Sequence, residues 1–209
     1  MQPRSEPVFE VRIHGRGGQG VVTAAEMLSV AGFIEGRWAQ AFPSFGSERM
    51  GAPVVSFCRL HESEIRAREP ITAPDALIIQ DPTLLHQVRV FDGLAPAGYV
   101  LINSSRPIEA LGIGEVAARL PKGHMAAIAA TELAVRHVGR PVPNAVLLGA
   151  FCAMTGVMKL ESVEAAIRQK FRPALAEKNI AAAREAFGMI AGGAGMAGGV
   201  EGVRHAEAV

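Results

Sequence analysis

Cysteine is scarce in this chain of 209 residues: there are two, Cys58 and Cys152, far apart and each inside an apolar run. No C-x-x-C spacing occurs, so the chain cannot by itself build an iron–sulfur cluster or a cysteine-rich zinc site. Two isolated thiols among apolar neighbours read as buried free cysteines of a reducing compartment. Aromatic residues are also few, with one Trp, one Tyr and nine scattered Phe. Charge of one sign is missing: 21 basic against 20 acidic residues leave a net charge of +1. That balance, without Lys/Arg clusters interleaved with aromatics, speaks against nucleic acid or an anionic membrane as partner. No uninterrupted apolar run reaches the roughly 18 residues of a membrane span. The first residues, MQPRSEPVFEVRIHG, lack the apolar core of a secretory signal. A soluble, cytoplasmic protein is the expectation.

What is present is a hydrophobic fraction of 49%, enough for a sizeable core. Residues 8–13 read as a short strand, with Val and Ile alternating against charged neighbours. A glycine cluster follows, then residues 21–32 (VVTAAEMLSVAG) at helical spacing, with Gly32 as the expected end. Residues 36–41, 53–60, 76–80 and 99–103 read as further strands. The last two are wholly apolar or nearly so, as suits a parallel sheet covered on both faces. The second half reads as helices over 125–138, 144–154, 161–171 and 174–190. The expected fold is therefore α/β: a Rossmann-like three-layer domain over residues 1–190, with a mostly parallel sheet and a helical C-terminal half. A Gly-rich tail over residues 191–209 follows, either a flexible end or a segment lying along a partner.

The glycine cluster carries chemistry. Gly15, Gly17 and Gly20 match G-x-G-x-x-G between a predicted strand and a predicted helix. Glycine lets an anion approach main-chain N–H groups at a helix start, where the dipole and unpaired donors favour negative charge. Backbone donors at Gly17, Gly18 and Gly20 are the candidates for such a cradle, with Arg16 as an added cation and Gln19 as a side-chain donor. A dinucleotide site needs more: an acidic residue at the end of the second strand, to hold ribose hydroxyls. Glu35 stands near the right count but at the end of the helix, and no acid follows at 37–41. NAD or FAD is disfavoured. Glycines that merely permit close strand–helix packing are the plain alternative.

Other residues are weaker candidates. None of the six His forms an i, i+4 metal pair or H-E-x-x-H, and only His14, beside the glycine loop, stands near candidate chemistry. No G-x-S-x-G elbow occurs, and Ser104-Ser105 fit a capped turn. Arg66-Ala67-Arg68 reads as a solvated loop face. No catalytic residue and no metal ligand is assigned.

The string GRGGQG (residues 15–20), joined to AQAFPSFGSERMGAP (residues 39–53), is similar to the gamma subunit, or gamma domain, of the pyruvate/2-oxoacid:ferredoxin oxidoreductases. DALIIQDPTLL (residues 75–85) and the apolar stretch 144–156 agree with that family, so the resemblance spans about residues 8–188. Met50 departs from it, standing where many relatives have a basic residue. The resemblance implies a multi-subunit enzyme that converts a 2-oxoacid and coenzyme A to acyl-CoA and carbon dioxide, passing electrons to ferredoxin or another acceptor. It implies alpha, beta and ferredoxin-like delta subunits as partners. Thiamine diphosphate, magnesium and 4Fe-4S clusters would sit in those subunits, since this chain shows no motif for them. The gamma part would close over the active site, be inert alone, and contact coenzyme A through Gly15 to Gly20, with Ser44 and Arg49 of the second loop near the active-site mouth. The rival for that loop is a subunit interface anchored by Phe42 and Phe45, with Glu48 pairing Arg49 or a neighbour. A stand-alone nucleotide-binding enzyme and a purely structural subunit are the two other readings. Neither the 2-oxoacid nor the acceptor is written in this chain.

Overall fold

The short apolar runs become the parallel part of one sheet. In the computed structural model, which describes residues 8–44 and 50–196, β1 (Phe9–Arg16), β4 (Ala76–Ile79), β5 (Tyr99–Asn103) and β6 (Met125–Ile128) pair in parallel in that order. β3 (Pro53–His61) lies antiparallel on the other side of β1, and β2 (Trp38–Pro43) lies antiparallel on β3. The full order is β2-β3-β1-β4-β5-β6. The α/β class and the mostly parallel sheet are as expected. The antiparallel outer pair changes one consequence: β2 is not beside β1, because β3 intervenes.

One face of the sheet carries most of the helical mass. Val11, Ile13, Ile78 and Leu101 point into a core shared with α1 (Val21–Ile34), α3 (Ala130–Val138), α4 (Asn144–Thr155), α5 (Leu160–Lys170) and α6 (Pro173–Ala191). Each fully buried Leu or Ile there contributes about 1.5–3 kcal/mol by removal from water. The other face, from Leu77, Ile79, Val100 and Ile102, is covered thinly by two 3-10 turns, Pro82–His86 and Ile108–Leu111, and by the short α2 (Gly114–Arg119). α4 is buried nearly throughout, as its unbroken apolar sequence predicts. The buried carboxylate of Glu164 on α5 accepts from Arg184 of α6 at 2.6 and 2.7 Å, fastening the outer helices to each other. Cys58 and Cys152 are both free and buried. Among the described residues, no helix is long and apolar enough to cross a membrane.

Most element ends shift by one to three residues, β1 running on through Arg16 and β2 through Pro43, and two differences go further. The single helix expected over 125–138 is a strand followed by a helix, with Ala129 between them at φ −74°, ψ 59°. A four-residue apolar run has no period of its own, and here the open edge of β5 takes it as a strand. The first helix runs past Gly32 to Ile34. Gly32 serves packing instead: a Cβ there would stand 2.5 Å from Leu60 Cδ2, while Gly36 takes the positive φ of the turn. The start of the glycine-rich tail lies along its own sheet, where Ala127 N donates to Gly195 O and Met196 bridges Ala126. That contact shields part of the β6 edge.

Candidate functional site

The chain leaves β1 toward β2 on one side and leaves β4 toward β5 on the other, so the carboxyl ends of β1 and β4 form a switch point of the sheet. In open α/β sheets, ligands gather in the crevice at such a point. The glycine cluster stands there. Gly15 ends the buried part of β1, where a Cβ would meet Val21 Cγ2 at 2.6 Å and Gln80 Cβ at 3.1 Å. Gly18 and Gly20 have φ of 95° and 74°, and a Cβ at Gly20 would stand 2.6 Å from Asn144 Nδ2. Strand, turn and the starts of α1 and α4 thus approach more closely than side chains would allow, and the packing role of the glycines is present.

The anion-binding geometry is present beside it. Gly20 is the N-cap of α1, with no side chain capping the helix start. The first turn of a helix leaves its N–H groups without intrahelical acceptors. Among the described residues, Gly18 N, Gly20 N and Asn144 Nδ2 also have no acceptor, and Gly18 is exposed. Gly17 N, in contrast, donates to Ala52 O at 2.9 Å and is committed to the fold.

Arg16 and Gln19, expected to face a ligand, are built into the frame of the loop. Gln19 Oε1 accepts from Arg16 N at 2.7 Å, and its Nε2 donates to Asp81 Oδ2 at 2.9 Å. The Arg16 guanidinium donates to Asp81 Oδ2, Gly51 O, Thr83 Oγ1 and Gln87 Oε1, at 3.1, 3.0, 2.7 and 2.6 Å. Asp81 is the centre of this buckle. Burial alone would raise its carboxyl pKa, but hydrogen bonds from Thr83 and Gln19 and the Arg16 charge bring it below the ordinary value. In the sequence Asp81 stands inside the DALIIQDPTLL stretch without a role of its own. The available signal was a carboxylate placed just after β4, beside the exit of β1.

The second loop meets the first. Met50 bridges Gly17, Gly51 N donates to Gly17 O at 3.1 Å, and Ser44 N donates to Val55 O where β2 ends. Met50 is 86% exposed and its side chain stands against Gly18. Ser44 is exposed at the mouth of this loop. Arg49, Phe45 and Glu48 lie outside the described residues. Phe42 does not protrude as an anchor: it is half-buried, 5.0 Å from the Phe57 ring and beneath the Arg59 guanidinium.

His14 lies on the opposite face of β1, away from the glycine turn. Its Nε2 accepts from Arg12 Nε at 3.0 Å, while its Nδ1 is buried without a partner. Burial, and then the Arg12 charge, push its pKa down to about 4 from 6.5. Between those values the unfolded chain binds a proton that the folded chain does not, so stability falls as pH drops from 6.5 toward 4 and levels off below. His14→Gln should flatten that slope in urea melts across the window. A slope unchanged by the substitution would show that other groups set it.

Glu35, the nearest acid for a dinucleotide ribose, accepts from Lys159 N at 2.7 Å and pairs with Arg37 at the far end of α1. With β3 between β1 and β2, β2 brings no acid to the end of β1; the acid that stands there, Asp81 after β4, is already engaged by Arg16, Gln19 and Thr83. Among the described residues, no group of three or more His, Cys, Asp or Glu is placed to hold a metal ion.

Comparison with known proteins bears on the family and the fold. The family model described as pyruvate ferredoxin/flavodoxin oxidoreductase matches residues 10–189. The pyruvate/ketoisovalerate oxidoreductases common subunit gamma of Pyrococcus abyssi is 47% identical over 180 residues, covering 86% of this chain and 96% of that protein. The pyruvate synthase subunit PorC of Methanosarcina barkeri is 46% identical over 159 residues, covering 76% and 84%. The crystal structure of the pyruvate oxidoreductase subunit PORC of Thermotoga maritima superposes with a TM-score of 0.74 at 32% identity, covering 88% of this chain and 97% of that one. A glycine turn at a sheet switch point, a second loop folded against it, and relatives matched over nearly their whole length converge: the chain belongs to the pyruvate ferredoxin/flavodoxin oxidoreductase family, as a gamma-type subunit of an oxidoreductase acting on the oxo group.

Proposed function

We propose that this subunit serves a coenzyme A-acylating 2-oxoacid:acceptor oxidoreductase by holding the pyrophosphate of coenzyme A at the first turn of α1 and closing over an active site in its partners. The observation that carries this is the set of uncommitted donors at one place: Gly18 N, Gly20 N, the uncapped start of α1, and Asn144 Nδ2. Oriented main-chain donors at a helix start suit an anion without requiring a side-chain cation. This matters because Arg16 is already committed. Arg16 and Gln19 act one step back, setting the loop so that its amides face outward. Ser44, where β2 ends, and Arg49 are assigned to the mouth of the site.

Gripping the charged end of the carrier leaves its flexible arm free to bring the thiol to a partner's reaction centre. Remote binding thereby positions a reacting group without taking part in the chemistry. Thiamine diphosphate with magnesium and the 4Fe-4S clusters are assigned to alpha, beta and ferredoxin-like delta subunits, where they supply the carbon chemistry and carry electrons to ferredoxin or another acceptor. The chain alone is then inert, with its working place in the cytoplasm beside those partners.

The test is Gly18→Val in the assembled enzyme. At φ 95° a β-branched side chain is strained, so the backbone shifts and the amide is displaced, whereas the exposed Met50 methyl that a Cβ would meet can swing aside. Losing charge-assisted hydrogen bonds of about 1.5–3 kcal/mol should raise the KM for coenzyme A roughly tenfold or more. The KM for the 2-oxoacid should stay within about twofold, because substrate choice belongs to other subunits under this assignment. An unchanged KM for coenzyme A would remove the carrier from this turn.

A further inference from the structure

The two edges of the sheet are treated differently. β6 is buried in all four of its residues, and the chain's own segment at Gly195 and Met196 lies on it. β2, at the other end of the sheet, has no buried residue, and among the described residues no strand pairs with its outer side. Open edges are ordinarily guarded by charged side chains, by proline or by a covering element. The stretch Trp38 to Phe42 carries no charge, and Pro43 stands only at its end. Trp38 is 53% exposed, and Phe33, next to the Gly32 that packs on Ala39, is 75% exposed.

The ladder fixes which backbone groups face outward. Ser44 N donates to Val55 O, so the alternate residues Phe42, Gln40 and Trp38 also turn their N–H and C=O toward β3. Ala39 and Ala41 turn theirs to the open side. Pro43, which has no N–H to offer, falls on that side too, where proline is tolerated in an edge strand. A second copy of β2, laid antiparallel, uses every outward group of Ala39 and Ala41 in one register. Ala39 then stands opposite Ala41 of the copy, and Gln40 lies opposite its own equivalent on a two-fold axis. Shifting one way sets the Ala39 carbonyl against Pro43. Shifting the other way sets the Ala41 carbonyl against Arg37, whose N–H already donates to Gly32 O.

The side chains favour the same register. Trp38, Gln40 and Phe42 share the face away from α1, while Ala39 and Ala41 pack on the helical core. Each Trp38 would lie opposite Phe42 of the copy, and cross-strand aromatic pairs contribute about 0.2–1 kcal/mol each. The Gln40 amide, whose Oε1 has no donor within the described chain, would stand beside a second glutamine amide, and two such amides can exchange hydrogen bonds.

We propose that β2 is a self-association edge, at which two copies of this subunit join antiparallel about Gln40 and continue the sheet of one into the other. A single strand pair of this length is small beside the roughly 1,200–2,000 Å2 of a stable interface, so the joint works where an assembly already holds two copies near each other. It rests on strand register and is independent of what the glycine turn binds.

The test is disulfide trapping in the assembled enzyme under a mild oxidant. In the proposed register the two Gln40 residues form a non-hydrogen-bonded pair with Cα atoms about 4.5 Å apart, within disulfide reach. Gln40→Cys should therefore convert most of this subunit to a species of twice its mass on a non-reducing gel, reversed by thiol. Cys58 and Cys152 should stay silent, since both are buried and burial pushes their thiols above the ordinary pKa. Trp38→Cys is the control. Trp38 is the more exposed position, yet in this register it is offset from its equivalent by about 13 Å along the strands, so its yield should be at least roughly tenfold lower. Equal yields at the two positions would mean random collision or another register and would overturn the proposal. So would the absence of any cross-link from Gln40→Cys, or a cross-link to a different subunit, which would give the edge to an extended segment of that partner.

Discussion

Replacing Gly149 by alanine should lower the stability of the chain by about 2–3 kcal/mol, a cost that comes from overpacking rather than from any lost contact. Gly149 lies in the middle of α4, where it crosses α6, and a Cβ there would stand 2.1 Å from Ala183 O and 2.8 Å from Ala183 Cα. Those atoms are helical backbone and cannot swing aside. Alanine would gain about 1 kcal/mol in helix propensity over glycine. The clash must exceed that gain for the prediction to hold, and separating two buried helices is the only relief available. α6 presents Ala176, Ala182, Ala183 and Ala186 as buried residues, so the two helices approach along a surface of small side chains. For a domain of this size, about 2–4 °C of melting temperature accompanies each kcal/mol, so a loss of roughly 5–10 °C is expected by circular dichroism. Gly149→Val should cost more. A melting temperature within about a degree of the parent would mean that α4 and α6 are not in this contact.

The sequence shows α4 as a buried helix, because its apolar residues leave no polar face, but it does not show which neighbour α4 touches most closely. A glycine inside an apolar helix is compatible with close packing or with simple tolerance, and only the position of Ala183 decides. The same holds for Gly32, which looks like a helix end and is a crossing point against Leu60. Strands β4 and β5 were legible because short, wholly apolar runs between turn residues have few other uses. β6 was not: MAAI runs almost directly into ATELAVRHV, and nothing in the local pattern marks the break at Ala129. The open edge of β5 makes that choice, and an edge is a property of the assembled sheet.

The candidate site divides in the same way. The string GRGGQG marks its place on the chain, since strand, glycine turn and helix follow one another within a few residues. What each residue does there depends on partners distant in sequence. Arg16 looks like a free cation until Asp81, Thr83 and Gln87 are placed around it. Gln19 looks like a ligand donor until both ends of its amide are used. Asn144 reads only as the start of an apolar helix, yet its amide nitrogen stands against Gly20. The contact between the two glycine-containing loops, through Gly17, Met50 and Gly51, also joins residues more than 30 positions apart. Motif spacing locates a backbone conformation, whereas side-chain roles are assigned by whatever the fold brings opposite.

Asp81→Asn should weaken coenzyme A binding about tenfold or more in the assembled enzyme, although it removes a negative charge from the neighbourhood of a proposed anion site. Two effects compete. Coulomb attraction alone favours the variant, since one carboxylate fewer faces the incoming phosphates. The frame of the loop opposes it, because Asp81 Oδ2 receives both Arg16 Nε and Gln19 Nε2, while Oδ1 receives Thr83 N. Without that carboxylate, residues 16–19 lose their fixed course, and restoring it on binding costs about 1–2 kcal/mol for each residue reordered. A partly exposed charge at a distance contributes less than that after solvent screening. The sign of the change in KM therefore decides which effect rules: a rise supports the loop frame, and a fall would show that local charge controls the site. The pH dependence adds an independent check. The folded pKa of Asp81 is depressed below its ordinary 3.8, so the frame it supports is complete above that value and is lost only as pH falls through the lower, folded pKa. From about pH 5 upward the parent enzyme should show no change in coenzyme A affinity through this group. His14, on the neighbouring strand β1, adds its own acid sensitivity of stability in the window between 6.5 and about 4.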